Sequence, residues 1–336
     1  METSEEYDVV IVGGGAAGLS AALVLGRARR RVVVIDAGAP RNAAAAHMQG
    51  FLSRDGMSPS ELLAVGRREI AGYGVELVDD TVIKLEQTSD GDLRAPLEVS
   101  YRLHLVSGTT IDARRVLVTT GASDDVPDLP GIRERWGRDL LHCPYCHGWE
   151  VRDEPLGVLG TIPGSIQHAL LIRQWSSDVI FFAHTYGLTD AERRQLDARD
   201  IAVVTGEVAR LVVEEDRLTG VELVDGRIVA RSAVFVRPGI HPHPDGLLAG
   251  LGCRYDDAGF VVTDSTGRTS NLGVWAAGNV ADPRAQVITA AGAGSAAAIA
   301  INNDLVQADT DRAIHTDHGL GTLRALGEPD PRPETG

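Results

Sequence analysis

The sequence predicts an α/β protein with two Rossmann-like domains, one inserted into the other. A strand, a glycine turn and a helix follow one another near the N-terminus, and a second unit of the same kind begins near residue 156. Glycine is plentiful, with 38 residues, and aromatic residues make up only 4% of the chain. Such a composition favours tight turns and close approach of the backbone to a ligand, as in nucleotide-binding α/β folds.

The length of the chain indicates two domains, and its charge and hydropathy exclude some classes of partner. A chain of 336 residues is long enough for two domains with their own cores. The net charge of −15 argues against a nucleic-acid-binding surface. No apolar run approaches the roughly 20 residues that span a bilayer, so no membrane partner is expected. Residues 1–8 are too acidic and too short for a signal peptide, and we expect a cytoplasmic protein.

The first strand–turn–helix unit carries the pattern of a dinucleotide site. The turn reads Gly-Gly-Gly-Ala-Ala-Gly over residues 13–18. Gly13 is expected to make the turn, Gly15 to let the backbone approach a pyrophosphate, and Gly18 to let helix and strand pack closely. The next strand ends in Asp36, eighteen residues after Gly18, where a carboxylate accepts hydrogen bonds from a ribose. The alternative is a glycine-rich turn that binds nothing.

The rest of this domain is predicted as one helix and several strands. Ser58, Pro59 and Glu61 indicate an N-cap, a first-turn proline and a capping box, so a helix is expected to run to about Ala71. Strands are predicted over residues 75–78, 81–85, 100–106 and 110–119, the last two as a hairpin, with a polar loop over residues 87–96.

The pair Cys143 and Cys146 predicts a redox centre. These two of the three cysteines stand between His142 and His147. A closely spaced dithiol can close to a disulfide, and a neighbouring imidazole favours the thiolate that attacks or leaves. The remaining Cys253 lies among apolar residues and is predicted to be a small buried hydrophobe.

The motif has three other interpretations. Cys-x-x-Cys-His attaches c-type haem, but that modification is made outside the cytoplasm. Cys-x-x-Cys is also half of a structural zinc site, yet no second Cys-x-x-Cys or His-x-x-x-His pair completes it, so no metal is expected. The third interpretation is two inert buried thiols, which the flanking histidines and the following glycine disfavour.

The second strand–turn–helix unit is a weaker nucleotide site. It comprises a strand over residues 156–159, a turn over residues 160–165 and a helix to about residue 175. Ile162 stands where a glycine is wanted, and Pro163 removes an N–H that could have met a phosphate.

The side chains that would bind the ribose 2′-hydroxyl or a 2′-phosphate of a nicotinamide cofactor are also missing from this unit. After the next strand, residues 179–183, come His184 and Thr185 instead of an acid or an arginine pair, and residues 193–194 are arginines on a predicted solvated helix face. Both a working and a degraded nicotinamide site for NADP(H) stay open.

The remaining pattern sets the domain boundaries. Strands over residues 201–204, 208–213 and 233–236 and a hairpin at residues 225–226 complete the inserted domain, residues 121–240. Residues 1–120 and 241–306 form the outer domain. Its last helix, about residues 286–305, has an N-terminus that could direct its positive dipole at an electron-rich ring. The polar tail, residues 307–336, is expected to be disordered.

These motifs together resemble the low-molecular-weight thioredoxin reductase family of flavoproteins. The resemblance covers about residues 7–305. It rests on the turn at residues 13–18, Gly-Phe at 50–51, Thr-Thr-Gly-Ala at 119–122, Leu-Pro-Gly at 129–131, the Cys-x-x-Cys, and Ala-Ala-Gly-Asn-Val at 276–280 followed by Gln286. It implies a thioredoxin reductase-like fold with FAD in the outer domain, an inserted NAD(P)-type domain that carries the dithiol, and a homodimer.

The resemblance also implies which residues bind FAD. They are Gly13, Gly15, Ala16, Gly18, Asp36, Arg41, Val82, Gly278, Asn279, Gln286 and Val287. Val82 would lie near the adenine. Asn279 takes the place of an aspartate that bonds the ribityl chain, and Gln286 and Val287 would lie along the isoalloxazine.

Catalytic roles follow from the same resemblance. Cys146 would face the flavin, and Cys143 would exchange with the substrate. His147 takes the position of an aspartate that transfers protons in the reductases. We therefore expect His147 or His142 to act as the general base. A purely structural His147 is the alternative.

The departures from the reductase pattern resemble the dithiol oxidases of disulfide-containing natural products, such as those for gliotoxin and holomycin. This subgroup implies oxidation of a small dithiol to its disulfide, with dioxygen as the acceptor. The runner-up is an NADPH-dependent reductase of a thioredoxin-like protein or a small disulfide. A non-catalytic redox-sensing flavoprotein and a ferredoxin-fed reductase stay open.

Overall fold

The structure, a computed structural model, describes residues 6–88 and 100–319. The strands are β1 (Glu6–Val12), β2 (Val32–Asp36), β3 (Glu76–Asp79), β4 (Val82–Gln87), β5 (Tyr101–Leu105), β6 (Thr110–Val118), β7 (Ala122–Asp125), β8 (Leu140–Leu141), β9 (Leu156–Leu159), β10 (Val179–Phe182), β11 (Ala202–Val204), β12 (Val208–Glu214), β13 (Arg217–Leu223), β14 (Ile228–Ala230), β15 (Ala233–Val236), β16 (Gly239–Pro242) and β17 (Val274–Ala276). The helices are α1 (Ala16–Arg27), α2 (Pro59–Ala71), α3 (Ile132–Arg135), α4 (Pro144–His147), α5 (Gly164–Ile172), α6 (Asp190–Asp197), α7 (Leu247–Gly250) and α8 (Val287–Gly319), with a 3₁₀ turn at Gly278–Val280.

The outer domain is built on a sheet in the order β3-β2-β1-β6-β5-β4, in which β17 also pairs with β6. Strands β1, β2, β3, β6 and β17 run parallel, and β5 pairs antiparallel with both β4 and β6. The C-terminal parts of β1 and β6 are continuous apolar runs, as expected for strands with both faces of the sheet covered. On one face β1 packs against α1 and α8, and the other face buries Tyr101 and Val274.

The inserted domain has a second parallel sheet, in the order β11-β10-β9-β15-β8. One face packs against α5 and α6. The other face packs against a three-stranded antiparallel sheet, β12-β13-β14. The two-domain Rossmann-like fold predicted from the sequence is confirmed.

Two connections join the domains, and they pair with each other. Strand β7 leads into the inserted domain and β16 leads out of it, and the two form an antiparallel ribbon in which Ala122 faces Pro242. The two ends of the inserted domain therefore lie side by side.

Most predicted elements are confirmed, and two details are wrong. Helix α2 begins at Pro59 as predicted, but no capping box forms, because the Ser58 hydroxyl bonds the Ser60 hydroxyl at 2.8 Å instead of a backbone N–H. Helix α8 also continues to Gly319, beyond the predicted end near residue 305, so residues 307–319 are helical rather than disordered.

Tertiary contacts explain the length of α8. The Asp309 carboxylate accepts hydrogen bonds from Arg30 Nη1 at 2.8 Å and Arg114 Nη2 at 2.5 Å, and Ala308 is buried. Composition alone suggested a polar tail because it does not reveal these partners. The predicted loop at residues 87–96 lies mostly outside the described residues, as does the tail from residue 320. None of the helices within the described ranges is long and apolar enough to cross a membrane.

Candidate active site

The first glycine turn is held by close backbone contacts. Gly13 has φ +107°, a conformation that favours glycine. A Cβ atom at Gly18 would lie 1.9 Å from the Gly13 carbonyl oxygen, so only glycine fits there. The Thr119 hydroxyl, 2.8 Å from the same oxygen, supports the turn from β6. Thr119 was not among the predicted site residues, although it belongs to the Thr-Thr-Gly-Ala motif that signalled the family.

A cavity of about 600 Å³ opens at this turn and extends to the cysteine pair. The predicted site residues that line it are Gly13, Gly15, Ala16, Asp36, Arg41, His142, Cys143, Cys146, His147, Gly278, Asn279, Gln286 and Val287. The structure thus brings the predicted cofactor residues and the predicted redox residues into one cavity.

Two predicted residues do not line the cavity. Gly18 lies behind the turn, where it allows the close contact with Gly13. The Val82 side chain is 5% exposed and packs in the core on the far face of the outer sheet, so the structure does not bring it to the cavity. Its placement near an adenine remains a prediction from the family resemblance alone.

Two polar side chains that line the cavity are already held in place by hydrogen bonds. The Asp36 carboxylate accepts hydrogen bonds from the Gly14 N–H at 3.0 Å and from Arg67 Nη2 at 2.5 Å. Asn279 Nδ2 donates to the carbonyls of Asp282 and Ala285 at 2.9 and 3.0 Å. Because both amide hydrogens are used, the side-chain oxygen of Asn279 is the atom that remains to accept a ligand hydroxyl.

The cysteines form a disulfide in the cavity wall. Cys143 and Cys146 have Cα atoms 5.2 Å apart. Helix α4 starts directly after Cys143, whose carbonyl accepts the N–H groups of Cys146 and His147 at 3.1 Å each. Gln286 Nε2, at the start of α8 in the outer domain, lies 3.9 Å from both sulfur atoms. The disulfide therefore faces the outer domain.

Both predicted general bases are neutral near pH 7. Burial lowers the pKa of His142 more than the nearby Asp124 carboxylate raises it. Burial also lowers the pKa of His147, against the opposing effect of Glu150. A neutral imidazole has a free lone pair, so either residue can accept a proton from a thiol.

A third histidine, His168 on α5, was missed by the sequence reasoning. It is 6% exposed, lines the cavity, and places Nε2 2.8 Å from the His142 carbonyl oxygen. Burial lowers its pKa to about 4. A single histidine on an apolar helix gives no signal that separates it from an ordinary core residue, so only the fold reveals its position beside the redox motif.

Arg41 is engaged by the connecting ribbon. Its guanidinium forms a two-pronged ion pair with the Asp124 carboxylate on β7, and Nη1 lies 3.3 Å from the Pro283 carbonyl. The sequence suggested Arg41 as a cofactor residue, and the structure shows that it also ties a loop of the outer domain to the ribbon.

The glycine turn of the inserted domain has few groups left for a phosphate. The N–H groups of Thr161 and Ile162 both lie 3.3 Å from the Ser165 hydroxyl, and Pro163 has no N–H. The Arg237 guanidinium packs against Gly164 at the start of α5. His184, at the end of β10, accepts the Val208 N–H at 3.0 Å and so serves the fold.

Residues 7–297 match the protein family described as pyridine nucleotide-disulphide oxidoreductase. The chain belongs to this family. Membership implies a flavin, and with the Cys143–Cys146 pair it makes the protein a flavin-dependent thiol–disulfide oxidoreductase, as the sequence predicted.

Individual relatives agree with this assignment. The chain is 31% identical to the thioredoxin reductase sirT of Leptosphaeria maculans, over 90% of this chain and 95% of that protein. It is 34% identical to a probable thioredoxin reductase of Arthroderma benhamiae, but that match covers 53% of this chain and only 44% of the relative.

Solved structures support the same family assignment. The fold is similar to the crystal structure of HlmI, with a TM-score of 0.91 and 56% identity over 94% of this chain and 98% of that one. It is also similar to a putative thioredoxin reductase TrxB from Bacillus anthracis, with a TM-score of 0.82 and 32% identity over 90% of this chain and 99% of that one. The predicted thioredoxin reductase-like family is confirmed.

Proposed function

We propose that this protein uses FAD to oxidise small dithiols to disulfides, with dioxygen as the electron acceptor. The observation that carries the proposal is the Cys143–Cys146 disulfide, which shares one cavity with the first glycine turn and lies beside Gln286. The sequence resemblance to dithiol oxidases supports the direction of electron flow.

The residues of the cavity fit FAD. A Cβ atom at Gly15 would have no other atom within 4 Å, so the backbone there is open to a pyrophosphate at the N-terminus of α1. The Asn279 side-chain oxygen can accept a ribityl hydroxyl. FAD bound here would supply the two-electron acceptor for the enzyme dithiol and the donor to dioxygen, which, with the two protons lost by the thiols, would become hydrogen peroxide.

The cysteines carry out the exchange with the substrate. One substrate thiolate attacks Cys143 and breaks the Cys143–Cys146 bond, so that Cys146 leaves as a thiolate. The second substrate thiolate displaces Cys143, which releases the substrate as a disulfide and leaves both enzyme cysteines reduced. The neutral imidazoles of His142 and His147 accept the protons that the substrate thiols lose.

The inserted domain supports a dithiol rather than NADPH as the electron donor. In its glycine turn, the N–H groups of Thr161 and Ile162 already donate to the Ser165 hydroxyl. Arg237 packs against Gly164 at the start of α5. A pyrophosphate at this turn would find few backbone donors. The reductase alternative is favoured by the relatives named as thioredoxin reductases and by the complete strand–turn–helix outline of this domain.

Anaerobic mixing separates the two directions. We expect a small dithiol to bleach the absorbance of the bound flavin and NADPH to leave it unchanged over the same time. Admission of air should restore the absorbance and produce hydrogen peroxide. Rapid bleaching by NADPH would instead establish the reductase, and absence of turnover with every dithiol tested in air would favour a redox sensor.

The rate of bleaching should depend on pH through a histidine. Burial lowers the pKa of His147, so we expect the rate to fall only as the pH drops below the ordinary histidine value of about 6.5. Above that value His147 is neutral and the rate should be constant until other groups titrate. His147→Gln is expected to remove this acid limb and slow bleaching about 100-fold. If His142→Gln removes the limb instead, His142 is the base, and an unchanged limb in both variants contradicts the proposal.

The assembly and location expected from the sequence remain proposals. We propose a cytoplasmic homodimer, and light scattering coupled to gel filtration would show a single-chain mass if the dimer is wrong.

A further inference from the structure

Tyr145 places an exposed aromatic ring beside the disulfide. It lies on α4 between the two cysteines and lines the same cavity as both of them. The residue is 65% exposed, although aromatic residues are scarce in this chain, at 4%. Neither the exchange at the cysteines nor the proton transfer to the histidines uses this ring. Tyr145 is thus an open part of the cavity wall to which the proposed chemistry assigns no role.

A second aromatic residue supports the Tyr145 ring. The rings of Tyr145 and Trp175 meet edge to face, with their centroids 5.5 Å apart and their planes at 87°. Trp175 is itself packed against Gly148, where a Cβ atom would lie 2.9 Å from two atoms of the indole ring. An edge-to-face contact covers at most one face of a ring. At least one face of the Tyr145 ring is therefore uncovered, in agreement with its exposure.

The other exposed aromatic residue near the disulfide is already occupied. Trp149 follows α4 and is 66% exposed, but the Arg152 guanidinium lies over its ring, with the central carbon 4.0 Å from the ring centroid. Trp149 also does not line the cavity. The aromatic face that a molecule inside the cavity can reach beside the disulfide is therefore that of Tyr145.

An uncovered aromatic face discriminates between flat and puckered molecules. Aromatic rings have a negative face and a positive edge, so they gain more from an offset stack or an edge-to-face contact than from burial of the same area alone. A saturated ring of equal size lacks this charge distribution and cannot lie flat. Because Tyr145 directly precedes Cys146 and shares α4 with it, a ring bound on Tyr145 brings its own substituents to the disulfide.

We propose that Tyr145 is a specificity-determining residue that selects dithiols whose thiols are carried on a planar aromatic ring. The inference rests on the proposed dithiol oxidation. The substrate ring stacks on the open face of Tyr145, which holds both thiols beside Cys143 for the exchange described above. The Tyr145 ring takes no part in making or breaking bonds. It lowers the concentration of dithiol that the enzyme needs and leaves the maximal rate of exchange unchanged.

Two dithiols that differ in the planarity of their ring test this role. Benzene-1,2-dimethanethiol and trans-cyclohexane-1,2-dimethanethiol have the same number of carbons, carry both thiols on methylene groups, and close a ring of the same size on oxidation. The rate of anaerobic flavin bleaching is measured with each at several concentrations and divided by the rate at which the same dithiol reduces a free disulfide. At low concentration we expect the wild-type enzyme to prefer the benzene compound by roughly three- to tenfold.

Variants assign the preference to the ring of Tyr145. Tyr145→Leu should remove the preference by raising the concentration of the benzene compound that gives half-maximal bleaching, with the maximal rate retained. Tyr145→Phe keeps the aromatic face and should retain the preference. Tyr73→Leu is the matched control, since Tyr73 is an exposed tyrosine of the outer domain that does not line the cavity. It should behave as the wild type.

The outcomes separate this role from the proposed function. Equal oxidation of the two compounds by the wild-type enzyme overturns the role of Tyr145, and so does a preference that persists in Tyr145→Leu. If Tyr145→Leu loses its flavin on gel filtration while Tyr73→Leu keeps it, the ring belongs to the cofactor site and the inference is wrong. If only dithiols without a ring bleach the flavin, the inference fails and the proposed function stands. If no dithiol bleaches it, the proposed function itself fails.

Discussion

Replacing either member of the disulfide should abolish dithiol oxidation. In Cys143→Ser the residue expected to form the mixed disulfide is missing, and in Cys146→Ser the leaving thiolate is missing. Because the two sulfurs act as one couple, each single change should cost as much as both, at least about 10³-fold in turnover. Hydrogen peroxide production in air and anaerobic bleaching of the flavin measure the loss.

Cys253→Ser is the matched control for this experiment. Cys253 is buried in the outer domain, and its thiol donates to the Thr269 hydroxyl at 3.5 Å, a contact that a serine hydroxyl can make. We expect this variant to retain turnover, with at most a modest loss of stability. Wild-type rates in Cys143→Ser or Cys146→Ser would show that the disulfide is not on the path of the electrons.

Gly294→Ala should destabilise the outer domain and release the flavin. Gly294 is buried where α8 crosses α1, and a Cβ atom there would lie 2.0 Å from the Ala17 carbonyl oxygen and 2.7 Å from its carbon. These are backbone atoms that cannot turn aside, so the helices must separate. We expect a loss of about 3 kcal/mol in the free energy of unfolding, at the upper end of the usual cost of overpacking. Ala17 follows the glycine turn, so separation of the helices also displaces the flavin site.

The same helix supplies the control. Gly292 is exposed, and a Cβ atom there would have no neighbour within 4 Å. Gly292→Ala should therefore raise stability by about 0.5–1 kcal/mol, the usual gain from replacing a glycine within a helix. Urea unfolding and the flavin retained after gel filtration report both variants. Equal stabilities for Gly292→Ala and Gly294→Ala would contradict the close crossing of α1 and α8.

The sequence predicted the parts of this molecule that depend on local chemistry. The glycine turn, the hairpin of β5 and β6, and the strand β9 are determined by short patterns of apolar residues and turn formers. The redox chemistry of the cysteine motif could be predicted because both sulfurs come from one short segment. The family resemblance placed Gln286 along the isoalloxazine, but its approach to these sulfurs was not predicted, since no local pattern joins residues so distant in the chain.

Features that depend on distant partners were missed. His168 meets the redox motif only because α5 packs beside it, and the ion pair of Arg41 with Asp124 joins residues far apart in the chain. The length of α8 was underestimated for the same reason. In the sequence Asp309 belongs to a polar segment, and only the fold shows that it forms ion pairs with Arg30 and Arg114. Sequence patterns report periodicity and turns, whereas these contacts are set by how the elements pack.

The paired strands β7 and β16 have a kinetic consequence. They are the two peptide connections between the domain that carries the sulfurs and the domain that carries the glycine turn, and Arg41 clamps them through Asp124. The distance between the disulfide and the glycine turn therefore depends on how rigidly this ribbon joins the two domains. We expect turnover to change when the ribbon is loosened, even with every residue of the cavity left in place.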